Sequence, residues 1–126
     1  MKIERSQVAA LLAAHKTITG DLDPKVRYAV SKNLVHLLRA HKETEKFRVA
    51  LVKKLEPETL EVKADSPKFD AFTDEFYGFL QTDAEISLLP IHFDGLNVEK
   101  NAIPPTAVAA LEPILVLDSA TQDVIG

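Results

Sequence analysis

The chain has 126 residues, 46% of them hydrophobic and 27% charged, with a formal net charge of −4. That is the size of one domain with a modest core, and the balance of 15 basic to 19 acidic residues speaks against electrostatically driven nucleic-acid binding. With no cysteine there are no disulfides, thiolate nucleophiles or cysteine metal sites.

A first helix is expected from about Ser6 to Thr17. Ser6 can accept from a free backbone N–H as N-cap, and Val8, Leu11, Leu12, His15 and Ile18 form one stripe. Gly20 is expected to close the helix in a left-handed C′ position. The short connection Gly20-Asp21-Leu22 favours an antiparallel neighbour. Asp23 as N-cap and Pro24 at the first helical position then open a second helix. No proline or glycine interrupts Lys25 to Leu55, and Pro57 sets the end. A helix of about 32 residues is about 48 Å long, whereas a compact domain of this size has a radius of gyration of about 14 Å. Such elongation suggests a partner. The expected stripe reads Val26, Val30, Asn33 or Leu34, Leu37, His41, Glu45, Arg48, Leu51 or Val52, and Leu55. A break near His41 is the alternative.

Leu60, Val62 and Ala64 alternate with charged residues, as in a short half-exposed strand. Ser66-Pro67 opens a third helix with the face Phe69, Phe72, Phe76 and Phe79, and Leu80 beside it. Glu85 to Phe93 reads as a strand in which Pro90 marks an edge or bulge, and Asp94-Gly95 is a turn signal. Pro104-Pro105 introduces a fourth helix, Thr106 to Leu111, limited by Pro113. Ile114 to Leu117 is a last turn or a short strand, and Asp118 to Gly126 is a polar tail expected to be mobile. The predicted fold is a single α+β domain, mostly helical. It comprises an antiparallel helical hairpin with one long helix, a third aromatic helix, and an antiparallel pairing of Leu60–Ala64 with Glu85–Phe93.

Chemistry is harder to find. There is no Gly-x-Ser-x-Gly elbow, and the four glycines are too scattered to cradle a phosphate. His15, His36, His41 and His92 lack metal-ligand spacing. The expectation is therefore no enzyme, no cofactor and no metal. No apolar run reaches the roughly 20 residues of a membrane span. The first residues lack a signal-peptide pattern, which makes the cytoplasm the expected compartment.

The candidate site is instead a polar one: Asn33, His41, Glu45 and Arg48, which fall near the apolar stripe of the long helix. His41 and Glu45 are an i,i+4 pair and Glu45 and Arg48 an i,i+3 pair, so the three can touch. They would either fix register between helices or subunits, or form a solvated face past which the stripe drifts. The phenylalanine face reads most simply as core, with a helix-in-groove partner site as the sharper alternative. Unpaired edges near Glu56–Asp65 and Pro90 could accept a strand from a neighbouring chain.

The run Tyr28-Ala29-Val30-Ser31-Lys32-Asn33-Leu34, a downstream Glu43 or Glu45, and Phe47-Arg48 precede Phe72-Thr73-Asp74-Glu75-Phe76, Ile86 with Ile91, and the segment Leu111 to Leu117. This order of residue types resembles small proteins encoded among tailed-bacteriophage structural genes, over about Leu11 to Leu117. The resemblance implies a viral origin and a virion or assembly role, with synthesis in the host cytoplasm, and offers no catalytic residues to transfer. The leading expectation is a non-enzymatic phage structural or assembly protein, working as a homo-oligomer or bound to other virion proteins. The alternative is a small phage-encoded inhibitor or ligand-sequestering protein acting on a host defence target, with His41, Glu45 and Arg48 lining its pocket.

Overall fold

Helix α1 (Arg5–Thr17) buries Val8, Leu11, Leu12 and His15, the stripe expected of it, and Ile18 is buried just beyond its end. The structure, a computed structural model, describes residues 1–117. The tail over 118–126, expected to be mobile, lies outside the described residues. The start of α1 differs from expectation: Ser6 is inside the helix and its hydroxyl donates to Glu4 Oε1 at 2.6 Å. The residues before it are committed elsewhere, because Lys2–Glu4 form a strand, β1, whose Ile3 is buried. Gly20 has a positive φ of 100°, but it lies beyond the C′ position. The backbone turns earlier, where Ile18 N–H donates to His15 O, and Ile18 is already extended.

Helix α2 (Pro24–Leu55) is continuous over 32 residues. Asp23 Oδ1 accepts from Lys25 N–H at 3.0 Å and Pro24 fills the first turn, as its sequence dictates. The two helices run antiparallel: His15 near the end of α1 meets Asn33, while Arg5 at its start meets Glu43, further along α2. With 32 residues against 13, α2 overshoots its neighbour.

The buried residues of α2 are Val26, Ala29, Val30, Asn33, Leu37, Ala40, Thr44, Leu51 and Val52. His41, Glu45 and Arg48, expected on this stripe, are half-exposed. The reason is rotation. Each step of four residues advances about 40° around the helix, so 37 to 41 to 45 walks off the buried face. Alternating steps of three and four, through 37, 40, 44 and the half-buried Phe47 to 51, stay on it.

Helix α3 (Phe69–Leu80) packs beside the overshooting part of α2, and none of its residues is fully buried. Phe79 stacks on Phe47 with ring centroids 4.0 Å apart. The Arg5 guanidinium lies 4.7 Å from the Phe79 ring centre. Ser66 does cap this region, accepting from Lys68 N–H on its hydroxyl and from Phe69 N–H on its carbonyl, but regular helix begins only at Phe69.

The expected strand Leu60–Ala64 does not form, nor does its pairing with Glu85–Phe93. Leu60 adopts a left-handed φ of 57° and gives its N–H to Glu56 O, and Ser66 N–H folds back to Lys63 O. Turn geometry at the two ends of the segment thus takes Leu60 N–H and Lys63 O, groups that a strand would use. Two other pairings exist instead. Strand β2 (Asp83–Glu85) pairs antiparallel with β1, with Ile3 opposite Ala84. Strand β3 (Ile91–His92) pairs parallel with β4 (Leu115–Val116). The single bulged strand expected over 85–93 is thus two short strands with an irregular link. Helix α4 (Pro105–Ala110) lies within a residue of its expected bounds, followed by a 3-10 turn at Glu112–Ile114 and then β4.

The main core joins Ile3, Leu11, Val26, Val30, Leu37, Ile86, Ile91, Leu96, Ile103 and Leu111 with their neighbours, so α1, the first half of α2, and the segment from β2 to β4 close around it. Leu51 and Val52 are buried apart from this cluster.

Candidate interaction face

The four polar candidates separate into two places. Asn33 is fully buried, in contact with His15 and the backbone of Leu89. His15 Nδ1 lies 2.7 Å from Leu11 O. A carbonyl only accepts, so Nδ1 carries the proton, and Nε2 accepts from Asn33 Nδ2 at 3.1 Å. Burial pushes the His15 pKa below its ordinary value, with the Leu11 bond acting the other way. Asn33 therefore bridges α1, α2 and the 86–90 link inside the fold.

The other three do cluster. Arg48 donates to Glu45 Oε2 from Nε at 3.1 Å and from a terminal nitrogen at 2.9 Å. That bond holds the Glu45 carboxyl below its usual range, helped by the charges of Arg48 and His41. The pair is half-exposed and contributes little stability on its own. A shallow depression of about 510 Å³ on this part of the surface is lined by Lys42, Glu45, Lys46, Val49, Ala50 and Lys53, all on α2. It takes in Glu45 alone of the three.

A larger feature contains that depression. Opposite its buried stripe, α2 exposes Tyr28, Val35, Leu38 and Val49, with 59%, 56%, 41% and 41% of their surface accessible. With Ser31, Lys42 and Glu45 they follow one another at alternating spacings of three and four, the repeat of a coiled-coil seam. Val52, next in the series, is buried, as expected for a seven-residue repeat drifting about 20° per heptad on a straight helix.

Beside this seam runs a ridge of cations. Lys25, Lys32, Arg39, Lys46 and Lys53 recur every seven residues, about 10.5 Å apart along the helix. All five are exposed, and none is in an ion pair among the described residues. Nine of the 15 lysines and arginines of the chain lie in α2, and only two of its 19 acids. The helix carries a formal +7 inside a chain of −4. Net charge conceals this segregation; the period of seven in the sequence reveals it.

No group of three or more histidine, aspartate or glutamate side chains among the described residues could hold a metal ion. No helix among them is long and apolar enough to cross a membrane. Comparison with protein-family models, curated proteins and solved structures finds no match to this chain.

Proposed function

We propose that this chain is a non-enzymatic assembly protein of a tailed phage, acting through protein–protein contacts made by the outer face of α2. The observation that carries the reading is the exposed seam of Tyr28, Val35, Leu38 and Val49 beside five cations that form no ion pair among the described residues. Single exposed apolar residues need no explanation, but four of them on one line over about 32 Å of a rigid helix, interleaved with Ser31, Lys42 and Glu45 at the seam spacing, are how a helix presents itself to another. The phage setting rests on the residue pattern between Leu11 and Leu117. On this reading the protein is made in the host cytoplasm and works there or in the particle, joined through this face to other virion proteins. Native mass spectrometry of purified particles and of assembly intermediates tests it. A defined complex with a particle component is the expected result. A protein that is monomeric at every concentration and absent from particles and their intermediates overturns it.

A further inference from the structure

We infer that the occupant of the outer face of α2 is an acidic amphipathic helix of another protein, laid along α2 as a left-handed coiled coil with its carboxylates against the ridge from Lys25 to Lys53. This rests on the docking role proposed for that face and names the chemistry of its partner.

The seam fixes the kind of partner. Its alternating spacing matches knobs from a second helix, and its slow drift toward the buried Val52 gives the left-handed wrap such a helix would follow. The length is bounded on the chain itself. Pro24 starts the helix, Tyr28 is the first apolar seam residue, and beyond Val49 the seam runs into the buried Val52. The partner therefore offers about three to four heptads.

The ridge fixes the partner's charge. Residues flanking a seam meet the flanks of the opposing helix, and here one flank is Lys25, Lys32, Arg39, Lys46 and Lys53. The other is Arg27, Leu34, His41 and Arg48, with no acid. A second copy of α2 cannot satisfy this. Antiparallel, the lysine ridge would face itself; parallel, it would face the arginine flank. The two acids of the helix are already engaged, Glu43 with Arg5 and Glu45 with Arg48. An acidic helix supplies the missing charge at the heptad interval.

Two other polyanions share only part of the fit. A nucleic acid would match the cations but has no use for the apolar seam. An anionic membrane would take the apolar residues but would surround Lys42 and Glu45 with lipid, whereas beside a single opposing helix both side chains can reach past the seam to water.

The test is binding, followed by fluorescence anisotropy, of a synthetic helix of about four heptads with leucine and alanine in the seam and glutamate on both flanks. Its control carries lysine on the flanks; duplex DNA and anionic phospholipid vesicles are the competing probes. The expected result is binding of the glutamate helix and not of the lysine helix. Reversing two ridge charges together (Lys32→Glu with Lys46→Glu) should weaken it about tenfold or more. Leu38→Asp, which spoils the seam and leaves the ridge intact, should weaken it comparably. All these positions are exposed, and unchanged circular dichroism confirms that the variants fold. The inference is overturned if the glutamate helix does not bind, if both helices bind alike, or if DNA or vesicles bind as tightly with no effect of Leu38→Asp. If the glutamate helix fails but Leu38→Asp still strips the protein from particles, the docking role survives and only its acidic partner is lost.

Discussion

Asn33 grips both backbone groups of Leu89 with one side chain: Oδ1 accepts from Leu89 N–H at 2.7 Å and Nδ2 donates to Leu89 O at 3.0 Å. The 86–90 link has no strand partner at Leu89, and a buried amide takes the strand's place. The second Nδ2 proton goes to His15 Nε2, so both donors of the amide are used and its orientation is fixed. Asn33→Leu keeps the volume and removes all three bonds. A loss of roughly 3 kcal/mol in stability is expected, from stranded polar groups on Leu89 and His15. Urea denaturation of the two proteins measures it.

The same contact makes stability depend on pH. His15 is neutral in the fold, with its pKa held below the ordinary 6.5 by burial. The unfolded chain therefore takes up a proton before the folded one does. The contribution of neutral His15 is complete above the unfolded value and is lost as pH falls from about 6.5 through the lower folded value. Protonation would also set an N–H against the Asn33 amide protons. Denaturation midpoints measured between pH 7.5 and about pH 5, above most carboxylate titration, should fall in the native protein. They should stay nearly flat in a folded His15→Gln variant.

Two glycines should respond oppositely to alanine. Gly20 has a φ of 100°, and a Cβ there would collide with the Asn101 side chain, which also accepts from Asp21 N–H at 2.9 Å. Gly20→Ala should cost roughly 2–3 kcal/mol from backbone strain and the displaced clamp. Gly78 lies in α3, and a methyl group there would meet nothing within 4 Å beyond the helix's own backbone. Gly78→Ala should stabilise by about 0.5–1 kcal/mol, because alanine restricts the unfolded chain and favours helix. Melting temperatures of the pair provide the check.

Helix α3 depends on few contacts. None of its residues is fully buried, and the Phe79–Phe47 stack is its closest ring contact with α2. Phe79→Ala should cost about 2 kcal/mol, less than a fully buried phenylalanine. Amide hydrogen exchange should show α3 opening well before α1 and the first half of α2, and opening faster still in the variant.

Local chemistry makes much of this fold legible in advance. Asp23-Pro24 announces α2 with a cap and a first turn that need no tertiary help, and Val8, Leu11, Leu12 and His15 declare the face of α1. The expected stripe of α2 departs from the observed one past Leu37, where His41 and Glu45 are spaced like core residues but lie progressively off the buried face. Small Ala40 and Thr44 hold that face instead. The strands are hidden for another reason. Lys2–Glu4 is too short to show alternation, and its partner lies some 80 residues away. Leu60, Val62 and Ala64 do alternate, yet Leu60 turns left-handed and no strand among the described residues pairs with them. Of the candidate site, Asn33 is an internal fastener, while the exposed ridge can be read only by counting in sevens.

The pairing of Lys2 with Glu85 also sets an order of events for the folding chain. Contacts between α1 and α2 become available as soon as Leu55 has been made, and they are close in sequence, so they are cheap to form and fast. The β1–β2 ladder joins residues about 80 apart in sequence; with α1 and α2 already packed, the flexible span left to close is about 27 residues, an entropic cost of about 3 kcal/mol by the logarithmic rule. It can gain nothing until Asp83–Glu85 exists. Until then the first strand leaves Ile3 without its cover on a chain whose helices are already packed. Slowing synthesis after Leu80 would lengthen that exposed interval, and aggregation during expression would be expected to rise with it.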